Sequence, residues 1–197
     1  IYVEKMPWND DPGHNFWKYE KRPKPSYDDY VAIKNRVKSA QNAAFIAFTG
    51  GRTIKFRSSS VSNAFIMGST EEYPNIQNFN LAEGRLFNPI EYESGANKVV
   101  LGYNVYNALF EGISGINKEV NLFGQKFQVI GYLQTEGENL FNFMNFDDAI
   151  WINFNSLKKY TNVSASSPVG RMLVIKAKPE MDLEVLKGDV TSVLRAK

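Results

Sequence analysis

Apolar and polar positions alternate along this chain in short stretches of both helical and strand period. Tyr30, Ile33, Val37 and Ala40 recur at helical spacing and predict one amphipathic helix. Ser26 stands where it can cap that helix. Asp29, three residues on, is a weaker relative of the glutamate in a Ser-x-x-Glu capping box and places charge at the positive helix end. Residues 43–48 are apolar and end in Gly50-Gly51, which predicts a buried strand. Residues 53–57 and 64–67 predict two more strands across a serine-rich connection.

Further on, residues 99–102 predict a strand and residues 103–110 an amphipathic helix. Residues 119–132 predict a hairpin, with two alternating runs flanking a Gly124-Gln125 pair suited to a type II′ turn. Residues 149–154 predict another strand. Residues 171–178 alternate, with Leu173, Ile175 and Ala177 on one face, as in a half-buried strand that Pro179 breaks. Asp182 then caps a last helix carrying Leu183, Leu186, Val190 and Val193 on one face, with Arg195 and Lys197 at its negative end. Gly188 weakens that helix by about 1 kcal/mol relative to Ala.

The expected class is α+β. Helix-then-strand at the start and strand-then-helix at the end bracket a more irregular middle, so the expected layout is discontinuous. Residues 1–60 and 165–197 are expected to form one α/β subdomain and residues 61–164 a smaller inserted mixed lobe, a layout resting partly on this periodicity and partly on a family resemblance carried by short motifs.

Bulk properties remove several functions. The 197 residues are 43% apolar and 22% charged, ordinary for a globular protein. A net charge of +2 argues against a general nucleic-acid binder, and the cluster Lys18, Lys21, Arg22, Lys24 reads as solvation of a loop. With no cysteine, disulfides, thiolate metal sites and cysteine nucleophiles are excluded. No run approaches the roughly 18 apolar residues that span a membrane. The chain opens on Ile1 with neither initiator Met nor signal peptide, which suggests a piece of something longer.

Candidate chemistry is sparse. His14 is the single histidine, and Asp10, Asp11 and His14 read as a solvated loop rather than a metal site. Asp28-Asp29 reads as capping and Asp147-Asp148 as a turn before a strand, because adjacent carboxylates do not share a helix face. Glu83-Gly84-Arg85 could hold an ion pair across a turn, in a structural role. Gly112 and Gly115 lack the strand–loop–helix context of a phosphate loop, and no Gly-Lys-Ser/Thr occurs. The expectation is therefore no enzyme: no catalytic, cofactor-binding or metal residues, and no cofactor. One stretch stands apart. Residues 140–146 concentrate Phe141, Phe143, Met144 and Phe146 between Gly137 and Asp147, either folded onto the core or exposed as a contact patch for a partner or hydrophobic substrate.

Several short blocks, in order, carry a family resemblance: Tyr27-Asp28-Asp29-Tyr30 with Ile33, then Leu81-Ala82-Glu83-Gly84-Arg85-Leu86-Phe87, then Lys98-Val99-Val100-Leu101-Gly102 followed by Leu109-Phe110, then Phe127-Gln128-Val129-Ile130-Gly131. Together they resemble the MacB-like periplasmic core domain of FtsX-like ABC-transporter permeases, over nearly the whole chain. Ile150-Trp151-Ile152-Asn153 stands where that family has Trp-hydrophobic-Pro, so the turn after Asn153 departs from the pattern. The resemblance implies a membrane-proximal porter-like subdomain built from both ends. It implies a non-catalytic extracytoplasmic role at the bacterial inner membrane, in export, lipoprotein release or mechanical signalling. Implied partners are an ABC ATPase on the cytoplasmic side acting through membrane helices, a second permease copy, and a periplasmic adaptor or substrate. The two chain ends should then lie on one side. The alternative is a freestanding ligand-binding or adhesion module of the cell envelope.

Overall fold

The computed structural model describes residues 1–5, 22–135, 145–164 and 166–196. The protein is α+β, with six α-helices among the described residues. It divides into two compact units. The first comprises residues 1–46, 72–78 and 163–197, the second residues 47–71 and 79–162.

In the first unit, strand β1 (Tyr2–Val3) pairs antiparallel with β9 (Gly170–Ala177), which in turn neighbours the first half of β2 (Ala40–Phe56). Helix α1 (Tyr27–Arg36) packs against α6 (Leu183–Arg195). Ser26 and Asp29 form the full capping box at the start of α1: each side chain accepts the other residue's backbone N–H, so two otherwise orphaned donors are satisfied. The helix stops at Arg36. Val37 turns extended while its N–H still reaches Ile33, and Ala40, expected on the helix, opens β2 instead. Strand β9 lies between β1 and β2 in the sheet and is buried from Arg171 to Ile175 rather than on one face alone. On α6 the inward residues are Leu186 and Val190, whereas Leu183 is exposed.

The strands expected at residues 43–48 and 53–57 are a single 17-residue strand, β2. Gly50-Gly51 does not end it, because Gly51 takes φ +73° within the strand, a conformation that costs glycine little.

In the second unit the strand order is β2, β3 (Ser59–Ser69), β8 (Ala149–Asn153), β5 (Lys98–Leu101), β7 (Gln125–Leu133) and β4 (Leu81–Gly84). Strand β6 (Glu119–Leu122) pairs with β2 and β7. Pairs β3–β8 and β5–β7 are parallel, and β8–β5 and β7–β4 antiparallel. Helices α4 (Tyr103–Phe110) and α5 (Phe154–Tyr160) cover β3. The short helices α2 (Tyr73–Ile76) and α3 (Pro89–Ser94) complete the set, α2 in the first unit and α3 in the second.

The β6–β7 hairpin turns one residue earlier than expected. Leu122 pairs with Gln125, so the loop is Phe123-Gly124, and both residues have positive φ (55° and 73°). Two positive φ values mark a type I′ turn, which fits the right-handed twist of the flanking strands. Phe123 tolerates this conformation while stacking on Tyr160 at 5.5 Å.

Candidate functional site

The Leu81–Phe87 block acts through close backbone approach. Gly84 has φ +87°, and a Cβ there would lie 2.3 Å from the Ile130 carbonyl oxygen and 2.6 Å from Gly131 Cα. Arg85 then donates its backbone N–H to Ile130 at 2.9 Å. Its guanidinium does not pair with Glu83. It makes a two-pronged bond to Glu91, Nη1–Oε2 and Nη2–Oε1 both 2.8 Å. Glu91 at the same time closes the capping box of α3 with Asn88. Arg85 holds the Glu91 carboxyl below its usual range against the upward pull of burial. The block is a structural joint.

Asn153 resolves the departure after β8. Fully buried, its amide oxygen accepts the Ser156 N–H at 2.7 Å and caps α5, and its amide nitrogen donates to the Ala96 carbonyl at 2.8 Å.

Of the four residues singled out as a contact patch, Phe141, Phe143 and Met144 lie outside the described residues. Phe146 is described, and it is core: 5% exposed, edge-on to Phe79 at 5.3 Å. It opens a 3-10 turn, Phe146–Asp148, which Asn145 caps through the Asp147 N–H. A buried ring of this size contributes by packing, so Phe146 leaves the set of candidate contacts.

The two described flanks of residues 136–144 are fastened together, Thr135 Oγ1 donating to Asp147 Oδ2 at 2.9 Å. Gly102, the N-cap of α4, sits against this neck; a Cβ there would fall 2.2 Å from the Phe146 oxygen. Beside the neck, α4 presents Tyr103, 37% exposed, and Asn104, which donates to Asp148 at 2.9 Å. Tyr132 lies flat on Tyr106, centroids 3.7 Å apart and planes within 9°. Burial, then Tyr106, Glu83 and Tyr103, push the Tyr132 hydroxyl up. Tyr103 and Tyr132 are hidden in the sequence because one reads as a helix start and the other as a strand end. Only folding brings Tyr103 and Glu83 near Tyr132.

In the first unit, a groove of about 370 Å³ is lined by Ile1, Val3, Arg22, Lys187, Val190 and Leu194, among others. The beginning of the described chain thus lies beside the last turns of α6. Of the basic cluster, Lys18 and Lys21 lie outside the described residues. Lys24 donates to the carbonyls of Ser167, Pro168 and Val169 at 3.1–3.2 Å, an internal staple. Asp10, Asp11 and His14 also lie outside. Among the described residues, no group of three or more His, Asp or Glu could hold a metal ion, and no helix is long and apolar enough to cross a membrane.

This is an α+β domain in which the Leu81–Phe87 block and Asn153 serve as joints between elements. The chain belongs to the MacB-like periplasmic core domain family, whose model matches residues 2–193. It is 32% identical over 95 residues to the macrolide export ATP-binding/permease protein MacB of Syntrophobacter fumaroxidans, covering 48% of this chain and 13% of that protein. It is 27% identical over 114 residues to the pyoverdine export ATP-binding/permease protein PvdT of Pseudomonas aeruginosa, covering 58% of this chain and 17% of that one. The chain therefore spans less than a fifth of the length of these relatives.

In fold it resembles the extracellular domain of the ABC-type transporter YknZ from Gram-positive bacteria (TM-score 0.73, 17% identity, 100% of this chain and 92% of that one). It resembles equally the periplasmic region of MacB from Actinobacillus actinomycetemcomitans (TM-score 0.74, 16% identity, 93% and 79%).

Proposed function

We propose that this chain is a non-catalytic extracytoplasmic domain of an ABC-transporter permease, and that it passes ATPase-driven motion to a substrate or partner outside the inner membrane. The family match over residues 2–193 carries this reading. The ATPase would act from the cytoplasmic side through membrane helices, and a second permease copy would supply the opposing domain. Export, lipoprotein release and mechanical signalling all use such an arrangement, and fold alone does not choose among them.

The groove that brings residues 1–4 beside Val190 and Leu194 supports the reading. A domain driven from the membrane needs its two chain ends near one another, so that both receive the same displacement. Phe141, Phe143 and Met144 are the proposed contact residues for a periplasmic adaptor or substrate, with Tyr103 and Tyr132 beside the neck of their segment.

Cysteine labelling tests the location, since these 197 residues hold no native thiol and the parent protein without the substitution serves as the blank. Ile90, 74% exposed on α3, is a suitable position. Ile90→Cys in the parent protein should react with a membrane-impermeant maleimide in intact spheroplasts. Reaction only after lysis would overturn the extracytoplasmic reading. A freestanding envelope module would label identically but would lack membrane helices flanking it in the parent reading frame.

A further inference from the structure

The chain leaves the second unit after Glu71 and rejoins it at Phe79, and one side chain meets both flanks of this excursion. Trp151, buried in β8, donates its indole N–H to Ser69 Oγ at 2.9 Å and lays its ring against Phe79 at 4.6 Å. Between those anchors, residues 72–78 belong to the first unit. There Glu72 is buried to 9% exposure and accepts two charge-assisted hydrogen bonds. Tyr30 donates its hydroxyl to Oε2 at 2.9 Å, and Lys34 donates its ammonium to Oε1. Tyr30 and Lys34 stand four residues apart on α1, so both donors project from one face. Tyr73 is buried beside Glu72, and Lys176 of β9 donates to the Asn75 carbonyl at 3.3 Å.

A carboxylate in such a place has two tolerable states. Seated, it keeps both donors; expelled, it is hydrated. Buried without its donors it is strongly disfavoured, so intermediate positions are sparsely populated. The contact is therefore all-or-none, which distinguishes it from the graded apolar packing around it.

We propose that residues 70–78 act as a latch, with Glu72 as its catch on α1 and Trp151 holding both ends of the loop in the second unit. Seated, Glu72 ties the loop crown to the first unit. Expelled, it lets residues 72–78 come away from α1 and their own short turns open, while the ends at Ser69 and Phe79 stay fixed.

Hydrogen exchange on the purified 197-residue chain tests this directly. The backbone N–H groups of Asn75 and Gln77 donate to the Glu72 and Tyr73 carbonyls and report on the crown. Those of Val37 and Lys178, which donate to Ile33 and Ser39, report on the rest of the first unit. In Glu72→Gln, exchange at Asn75 and Gln77 should rise about ten-fold or more, as expected for a local opening, with Val37 and Lys178 unchanged. Unchanged exchange at Asn75 and Gln77 would overturn the latch. An equal rise at all four positions would do the same, since Glu72 would then serve general stability alone. Lys34→Met, which removes one donor from a half-exposed position, is read by the same criteria should Glu72→Gln fail to fold. No transport activity is needed, so the outcome bears on the latch independently of the transport reading.

Discussion

Gly84 and Gly131 lie with backbone against backbone across the β4–β7 pair. A side chain on Gly84 would collide with Ile130 and Gly131, and one on Gly131 would fall 2.7 Å from the Arg85 carbonyl oxygen. Neither neighbour is a flexible side-chain end, so neither can yield cheaply. Gly84→Ala combines this collision with an unfavourable positive φ and should cost about 2–4 kcal/mol. Gly112→Ala is the control, since Gly112 also has positive φ but faces open space. Thermal unfolding of both variants separates the collision from the backbone strain. Equal losses would show that the close approach contributes nothing.

Asn153 offers a second test, because one side chain satisfies two buried backbone groups. Asn153→Ala removes the cap of α5 and leaves the Ala96 carbonyl without this donor, at a combined cost of about 2–4 kcal/mol. Asn153→Asp keeps an acceptor for Ser156 but turns a carboxylate oxygen toward the Ala96 carbonyl. It should therefore be no better than the alanine variant, although aspartate is a good N-cap elsewhere. An Asp variant of native stability would show that the bond to Ala96 has no net value.

These positions show what the sequence could and could not disclose. Elements governed by local rules were legible: the Ser26–Asp29 box, the Asp182 cap, and the helix Tyr103–Phe110 each follow from spacing within a few residues. Elements decided by a distant partner were misread. Gly50-Gly51 resembles a strand end, but β2 continues through it; the hairpin slipped by one residue because Phe123 in a left-handed turn defies its usual preference. Residues 171–175 alternate as if half-buried, yet all five are buried, so both faces of the strand are covered there. Arg85 pairs with Glu91 rather than with Glu83 two residues away, because α3 presents a carboxylate that takes both parallel bonds. The Tyr30–Glu72–Lys34 cluster, spread over 42 positions, had no sequence signal at all.

That cluster has a predictable pH dependence. Burial raises the Glu72 carboxyl, but Lys34, a backbone bond and Tyr30 outweigh it and hold it below its ordinary 4.5. A lowered carboxylate contributes stability that is full above 4.5 and lost as pH falls through the lowered value. Burial and Glu72 push the Tyr30 hydroxyl up to about 12, and the Glu72 bond raises Lys34 above its ordinary 10.5. Raised groups contribute stability that is present below their ordinary values and lost as pH rises past them. The melting-temperature gap between the native chain and Glu72→Gln should therefore be widest between about 4.5 and 10 and narrow in acid. A gap that persists undiminished in acid would mean that charge on Glu72 does not matter.

The aromatic segment gives the last and most discriminating comparison. Phe146 is packed against Phe79, so Phe146→Ala should cost about 3–5 kcal/mol, the usual loss for a core Phe. The proposed contact role of Phe141, Phe143 and Met144 asks for the opposite. Replacing Phe143 and Met144 together with Ser should leave stability within about 0.5 kcal/mol, as for surface positions, while impairing function of the full transporter. Phe146 and the Thr135–Asp147 bond belong to the described flanks of that segment, so the Phe146→Ala loss supplies the scale for a core residue. A stability loss in the double Ser variant comparable to that of Phe146→Ala would assign the whole segment to the core and end the contact proposal. Native stability with unimpaired transport would end it equally.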